Sequence, residues 1–170
     1  NRDMKRVKAL FDGQQMGVGS KGGSEIIVHR MRALYDKATT GRDHFAMCTI
    51  DARNAFNCVH RCKIVEAAMR HPEFACMVPL LELEYGSYSR LYLDDDIIQS
   101  RSGVRQGSCL GPFWFALAIH DVVSEVLSRY ERKVTGYLYL DDITLGGDSV
   151  HVARCAEEIA SALSTVGLHV

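Results

Sequence analysis

Two strongly β-forming runs, Tyr137-Leu138-Tyr139-Leu140 and Ile143-Thr144-Leu145, are separated by nothing but Asp141-Asp142. Aromatic and β-branched residues flanking so short a break predict a hairpin with the two carboxylates at its tip. Asp pairs are ordinary turn residues. Here, however, two like charges sit between apolar strands, where they repel one another and lose hydration. A divalent cation is the simplest compensation. Mg2+ takes oxygen ligands, usually one or two carboxylates plus substrate phosphates.

A second feature points the same way. His44 to Ile50 (HFAMCTI) reads as a buried strand that stops at Asp51. An Asp just past a strand is common on its own, so the interest lies in finding both features in one chain.

Helical periodicity fills the rest. A Gly-rich stretch, Gly13 to Gly23, precedes Ser24 as the expected N-cap of a helix over about 24–38 with Ile27, Met31, Leu34 and Tyr35 inward. Residues about 60–70 predict a short helix burying Ile64, Val65, Ala68 and Met69. A further helix over about 73–85 should bend or restart at Pro79. Ser89–Leu93 and Ile97–Arg101 flank Asp94-Asp95-Asp96 as a hairpin, followed by a glycine-punctuated loop from Gly103 to Pro112. Pro112 suits the first turn of a helix reaching about residue 130, and a last helix over about 150–165 should bury Val152, Ala156, Ile159 and Leu163. Hairpins interleaved with helices predict an α+β fold with one largely antiparallel sheet.

Charge and cysteine content bound the classes. Residues 1–40 carry eight Lys/Arg against four Asp/Glu, and residues 41–170 carry twelve against seventeen. A basic arm on an acidic body suits a protein that gathers carboxylates around metal ions. The six cysteines include no CxxC pair, and Cys58-x-His60-x-Cys62 lacks a second ligand pair at finger spacing. Free thiols, no signal-peptide pattern, no Asn-x-Ser/Thr sequon and no membrane-length apolar run predict an intracellular protein without membrane contact. Trp114, Phe113 and Phe115 read as core, and Lys21, Arg30 and Arg32 as a solvated face or phosphate contacts.

Tyr92-Leu93-Asp94-Asp95 repeats the Tyr-Leu-Asp-Asp pattern of Tyr139 to Asp142, but a third Asp, then Gln99, Ser100 and Arg101, mark it as a solvated hairpin. The catalytic assignment therefore goes to the second copy. Three stretches then stand in order: Asp51-Ala-Arg-Asn-Ala-Phe56-Asn57, Gly103-Val-Arg-Gln106-Gly107-Ser-Cys-Leu-Gly-Pro112, and Tyr139-Leu-Asp141-Asp142. Together they resemble the three core palm motifs of reverse transcriptases. Upstream, Gln15-Met-Gly17-Val-Gly19 … Gly22-Gly23-Ser-Glu25 … His29 is similar to the segment before the palm in non-LTR retrotransposon enzymes. Gly146-Gly147-Asp148 fits the same group, and Val166-Gly167-Leu168 resembles the start of the next palm motif.

The resemblance implies a polymerase palm over 44–170, its sheet covered by helices on one face, with a partial fingers segment over 1–43. It implies that Asp51 and Asp141 bind two Mg2+ ions, with Mn2+ the alternative, and that Asp142 supports them. Ala52, Arg53, Asn54 and Ala55 would lie near the triphosphate. Phe56 would crowd a ribose 2′-hydroxyl, with core packing as the ordinary alternative. Gln106 and Gly107 would meet the template base and incoming nucleotide, turn geometry being the plain alternative for Gly103 and Gly107. The implied partners are an RNA template, a DNA primer and deoxynucleoside triphosphates, and the implied compartment is the nucleus if the host is eukaryotic. Leu140 departs from the small residue, and Ser108 from the acidic residue, frequent in relatives. The chain starts at Asn1 and stops at Val170, before a thumb, so it is expected to be a piece that is poorly active alone. The rivals are a group II intron type reverse transcriptase, an RNA-dependent RNA polymerase, against which Phe56 speaks, and a decayed, inactive copy that only binds nucleic acid or a partner.

Overall fold

The computed structural model describes residues 2–11, 13–41 and 44–170. In chain order it runs α1 (Arg2–Phe11), α2 (Gly23–Gly41), β1 (Phe45–Ile50), α3 (Ala55–Cys58), α4 (Arg61–Arg70), a 3₁₀ turn (Pro72–Met77) and α5 (Val78–Tyr85). There follow β2 (Ser89–Leu93), β3 (Asp96–Ser100), α6 (Gly111–Arg129), β4 (Val134–Tyr139), β5 (Asp142–Asp148) and α7 (Ser149–Ser164). β1, β5 and β4 form an antiparallel sheet in that order, and β2 and β3 form a separate hairpin. The α+β expectation with a largely antiparallel sheet is borne out.

The spine of the core is α6. Pro112 opens its first turn, and the consecutive residues Phe113 to Ile119 are all buried. A helix apolar on every side is one that other elements surround. Here α4 packs on it from one side and α7 runs beside it, and both α6 and α7 contact the sheet. The sheet face bearing Ile50, Ile143, Leu138 and Leu145 closes the same core. Each of these large side chains contributes roughly 1.5–3 kcal/mol by leaving water. The Gly146-Gly147-Asp148 run has a local reason. A side chain at Gly146 would collide with Met31 of α2, which crosses the opposite face with Ile27 and Tyr137, and Asp148 caps α7 by accepting from the His151 amide.

Several local expectations shift. Helix α2 starts at Gly23, with the Gly22 carbonyl taking the first helical bond from Ile26. Ser24 is therefore inside the helix and bonds Glu25 instead of capping. Ala38 replaces Tyr35 on the buried face of α2, and Ala67 replaces Met69 on that of α4. In both cases the small residue faces the close packing and the large one is left at the rim. β1 is an edge strand, so Met47 is exposed rather than buried. The break at Pro79 is borne out, with α5 starting one residue earlier, at Val78. Residue 43, where the expected first segment ends, lies outside the described residues. Among the described residues no helix is long and apolar enough to cross a membrane.

All six cysteines are free thiols. Cys155 is on the buried face of α7, and burial pushes its thiol up to about 11, whereas Cys62, Cys76 and Cys109 are exposed. Since the thiolate is the nucleophile, iodoacetamide should modify those three in the native protein and reach Cys155 only on unfolding. Rapid native labelling of Cys155, read by peptide mass spectrometry, would contradict this packing.

Candidate active site

The site is built where three strand ends meet. Ile143 of β5 opposes Ile50 on one side and Leu138 on the other. One step further along the ladder, Asp142 opposes Tyr139, and Asp51 is the next residue after Ile50. Side chains alternate along strands and directly opposed residues share a face. Asp51 and Asp142 thus come side by side at the same end of the sheet, with Asp141 in the adjoining turn.

The turn itself is shifted by one residue from expectation. Tyr139 pairs with Asp142, so the two loop residues are Leu140 and Asp141, and Asp142 begins β5. Leu140 adopts φ 58°. Two-residue hairpin loops need positive φ, and Gly, Asn or Asp normally supply it. In the other Tyr-Leu-Asp-Asp copy the loop is Asp94-Asp95, and Asp94, at φ 51°, is a residue type suited to that conformation. For Leu140 it costs on the order of 1–3 kcal/mol and persists only where neighbours impose it. The neighbour is Gln15, whose Oε1 accepts from the amides of Leu140 and Gly17, both at 2.9 Å.

The electrostatics show that the carboxylates converge. The Asp142 carboxyl is raised above the usual range, first by burial, then by repulsion from Asp141 and from Asp51. Among the described residues no Lys, Arg or His pairs with any of the three. Nor do three His, Cys, Asp or Glu side chains of the described residues close a metal cage. Unneutralised carboxylates at an open strand end fit a hard cation held by one or two carboxylates and completed by a phosphate-bearing ligand. By contrast, Asp94, Asp95 and Asp96 stand on a hairpin exposed on both faces.

The remaining residues named from the sequence lie around a strap between two segments. After Asp51 the chain buries Ala52, turns through Asn54 at φ 48° and buries Ala55 as α3 begins. Asn57 holds that turn by donating from Nδ2 to Asn54 Oδ1 at 2.5 Å. The Arg53 amide donates to the His169 carbonyl at 2.8 Å, so that donor is not open to a ligand. The loop before α6 is then fastened to α3: Gly103 N–H donates to Val59 and Val104 N–H to Phe56, each at 2.8 Å. A side chain at Gly103 would strike the backbone of Phe56 and Asn57, so this glycine is required by close approach as well as by its φ of 74°. Gly107 also has positive φ but faces open space. Gln106 is exposed, its Nε2 3.5 Å from Asn57 Oδ1. Phe56 is half-buried, stacked at 4.5 Å between centroids on the fully buried Phe115. Its ring is fixed from behind by the core, so packing is part of its role.

Sequence reasoning named Gln15 within the upstream stretch but gave it no role, and it missed α1 and Arg61. Arg61 donates from Nε to the Gly103 carbonyl, from Nη1 to the Ser100 carbonyl and from Nη2 to Ser100 Oγ, at 2.8–2.9 Å, while its guanidinium lies over Tyr85. It ties the exposed hairpin and the glycine loop to α4. Of the proposed phosphate contacts, Arg32 pairs with Asp36 and Arg30 lies over the Tyr137 ring, while Lys21 is exposed.

Residues 3–170 match the family model described as reverse transcriptase (RNA-dependent DNA polymerase). The chain belongs to the reverse transcriptase family. It is 28% identical over 174 residues to the 132 kDa protein of the retrotransposable element SLACS from Trypanosoma brucei gambiense, an alignment covering 99% of this chain and 14% of that protein. The retrotransposon resemblance read from the motifs is borne out by that relative. Apo telomerase from Candida tropicalis, truncated from its C-terminal domain, superposes with a TM-score of 0.74 at 11% identity, covering 98% of this chain and 37% of that one. Telomerase from Candida albicans, in complex with a fragment of telomeric RNA, gives 0.64 at 11% identity, covering 99% and 32%. These two likenesses establish the fold.

Mutual repulsion among the carboxylates makes a stability prediction. A carboxyl raised in the folded state binds its proton more readily there than when unfolded, so its contribution is most favourable at acid pH and is lost as pH rises through the raised value. Asp142→Asn should therefore raise the thermal midpoint slightly at neutral pH in metal-free buffer, and the gain should shrink on acidification. A lower midpoint for the variant at neutral pH would contradict the crowding of charge described here.

Proposed function

We propose that the protein carrying this chain is an RNA-directed DNA polymerase of a non-LTR retrotransposon, adding deoxynucleotides to a primer 3′-hydroxyl on an RNA template. The observation that carries the reading is the meeting of Asp51, Asp141 and Asp142, with no cationic partner among the described residues, at one end of the sheet. Residues 44–170 form the palm in this reading and 1–43 belong to the fingers side. The working compartment is intracellular, and nuclear in a eukaryotic host.

Asp51 and Asp141 hold the divalent ions, Mg2+ or Mn2+, with Asp142 beside them. When bound, two such ions supply activation of the attacking hydroxyl and neutralisation of charge on the leaving phosphates. The protein's own part is placement. The β1 end and the β4–β5 turn fix the carboxylates. Phe56, immobilised against Phe115, excludes a sugar carrying a 2′-hydroxyl. Gln106 and Gly107, on the loop strapped to α3, border the templating base and the incoming nucleotide, with Ala52 to Ala55 on the triphosphate side.

Asp51→Asn or Asp141→Asn should cut primer extension by about a hundredfold or more, since several kcal/mol of charge stabilisation is at stake. Asp94→Asn with Asp95→Asn should leave extension near the wild-type rate. The reverse pattern would assign the site to the wrong Tyr-Leu-Asp-Asp. Phe56→Val should ease ribonucleotide incorporation by about tenfold or more. Unchanged sugar selection would reduce Phe56 to its packing role.

A further inference from the structure

Gln15 is the one buried polar side chain of the described core, 1% exposed, and no step of the proposed reaction uses it. It lies in an extended segment that forms a parallel bridge to the edge of β4. Met16 N–H donates to the Leu138 carbonyl at 2.7 Å, and Leu138 N–H donates to the Gln14 carbonyl at 2.8 Å. From that segment the Gln15 side chain reaches across 125 positions of sequence to the turn between β4 and β5. Its Oε1 accepts from Leu140 N–H and from Gly17 N–H, while Nε2 stands 3.5 Å from the Leu140 carbonyl. Both backbone groups of Leu140, whose residue type is poorly suited to positive φ, are therefore addressed by one amide. Gly17 adds a steric stop, because a Cβ there would lie 2.8 Å from both the Leu140 amide nitrogen and its Cγ.

We propose that Gln15 is a positioning residue for polymerisation. It holds Leu140 at positive φ and so sets where the next two residues, Asp141 and Asp142, stand relative to Asp51. The proposal rests on the reading of those three carboxylates as the catalytic ones. A hairpin of this sequence left to itself would gain by moving an Asp into the left-handed position, as the copy at Asp94 does. That slip would pair Leu140 with Ile143, take Asp142 out of the β5 ladder into the loop and so displace it from its place beside Asp51. Gln15 opposes the slip by fixing the Leu140 backbone from outside the hairpin.

The test uses the whole protein that contains this chain, with three readouts. Gln15→Leu keeps the volume and removes the acceptor. It should lower kcat for deoxynucleotide addition on the order of ten- to a hundredfold, with little change in nucleotide KM, as expected for displaced reacting groups. Amide hydrogen exchange at Leu140 should become faster in the same variant. Adding Leu140→Gly, which accepts positive φ without strain, should recover about fivefold or more of the lost rate relative to Gln15→Leu alone. Gly17→Ala, which presses on the same turn without emptying the Gln15 site, should also lower kcat, and it keeps the test open if Gln15→Leu does not fold. Wild-type kcat in folded Gln15→Leu, or a loss that Leu140→Gly does not relieve, would overturn the proposal. Persisting slow exchange at Leu140 would overturn the clamp alone. Full activity of Asp141→Asn would instead overturn the carboxylate assignment, and with it the catalytic half of the proposal.

Discussion

Three carboxylates brought together without a cation repel one another, and the fold must hold them against that repulsion. Asp51 is fixed by the last pair of the β1–β5 ladder, and Asp142 by the first pair of the β4–β5 ladder. The covalent hairpin alone does not place Asp141, because its turn has a lower-strain alternative. The structure answers with rigidity from below, in the all-buried stretch of α6 and the sheet face it supports, and with a clamp from the side, at Gln15. A crowded anionic end works against the stability of the domain, and it is the arrangement on which the proposed metal-dependent function rests.

The same logic of support from behind recurs around the site. Phe56 presents a half-buried ring because Phe115 fills the space beneath it. The glycine loop carrying Gln106 and Gly107 is located by backbone bonds to α3 and by Arg61, whose hydrogen bonds go to Gly103 and Ser100 and not to the three carboxylates. Gly103 belongs to this scaffold, since it marks where two backbones meet too closely for any side chain. Gly107, by contrast, has open space before it.

Much of this was legible in the sequence because it is local. The Asp-interrupted hairpin, the strand ending at Asp51, the Pro79 restart and the Pro112 helix all announce themselves within a few residues. The misplacements are equally physical. Periodicity names a helix face but not its closest-packed position, so it points to Met69 and Tyr35 where the structure buries Ala67 and Ala38. Local sequence puts the hairpin turn one residue later than the structure does, because Asp is the better turn residue and the group that holds Leu140 there, Gln15, is 125 positions away. Arg61 and α1 were invisible for the same reason. Their partners, Ser100 and Gly103 in one case and Phe113 and His120 in the other, are distant in sequence.

The most direct measurement of the central claim is anomalous scattering from crystals of the whole protein soaked with Mn2+ and a deoxynucleoside triphosphate. Manganese peaks are expected against the carboxylates of Asp51 and Asp141, at the shared end of β1 and the β4–β5 turn. Manganese bound at Asp94 to Asp96 instead, with none at Asp51 and Asp141, would contradict that claim.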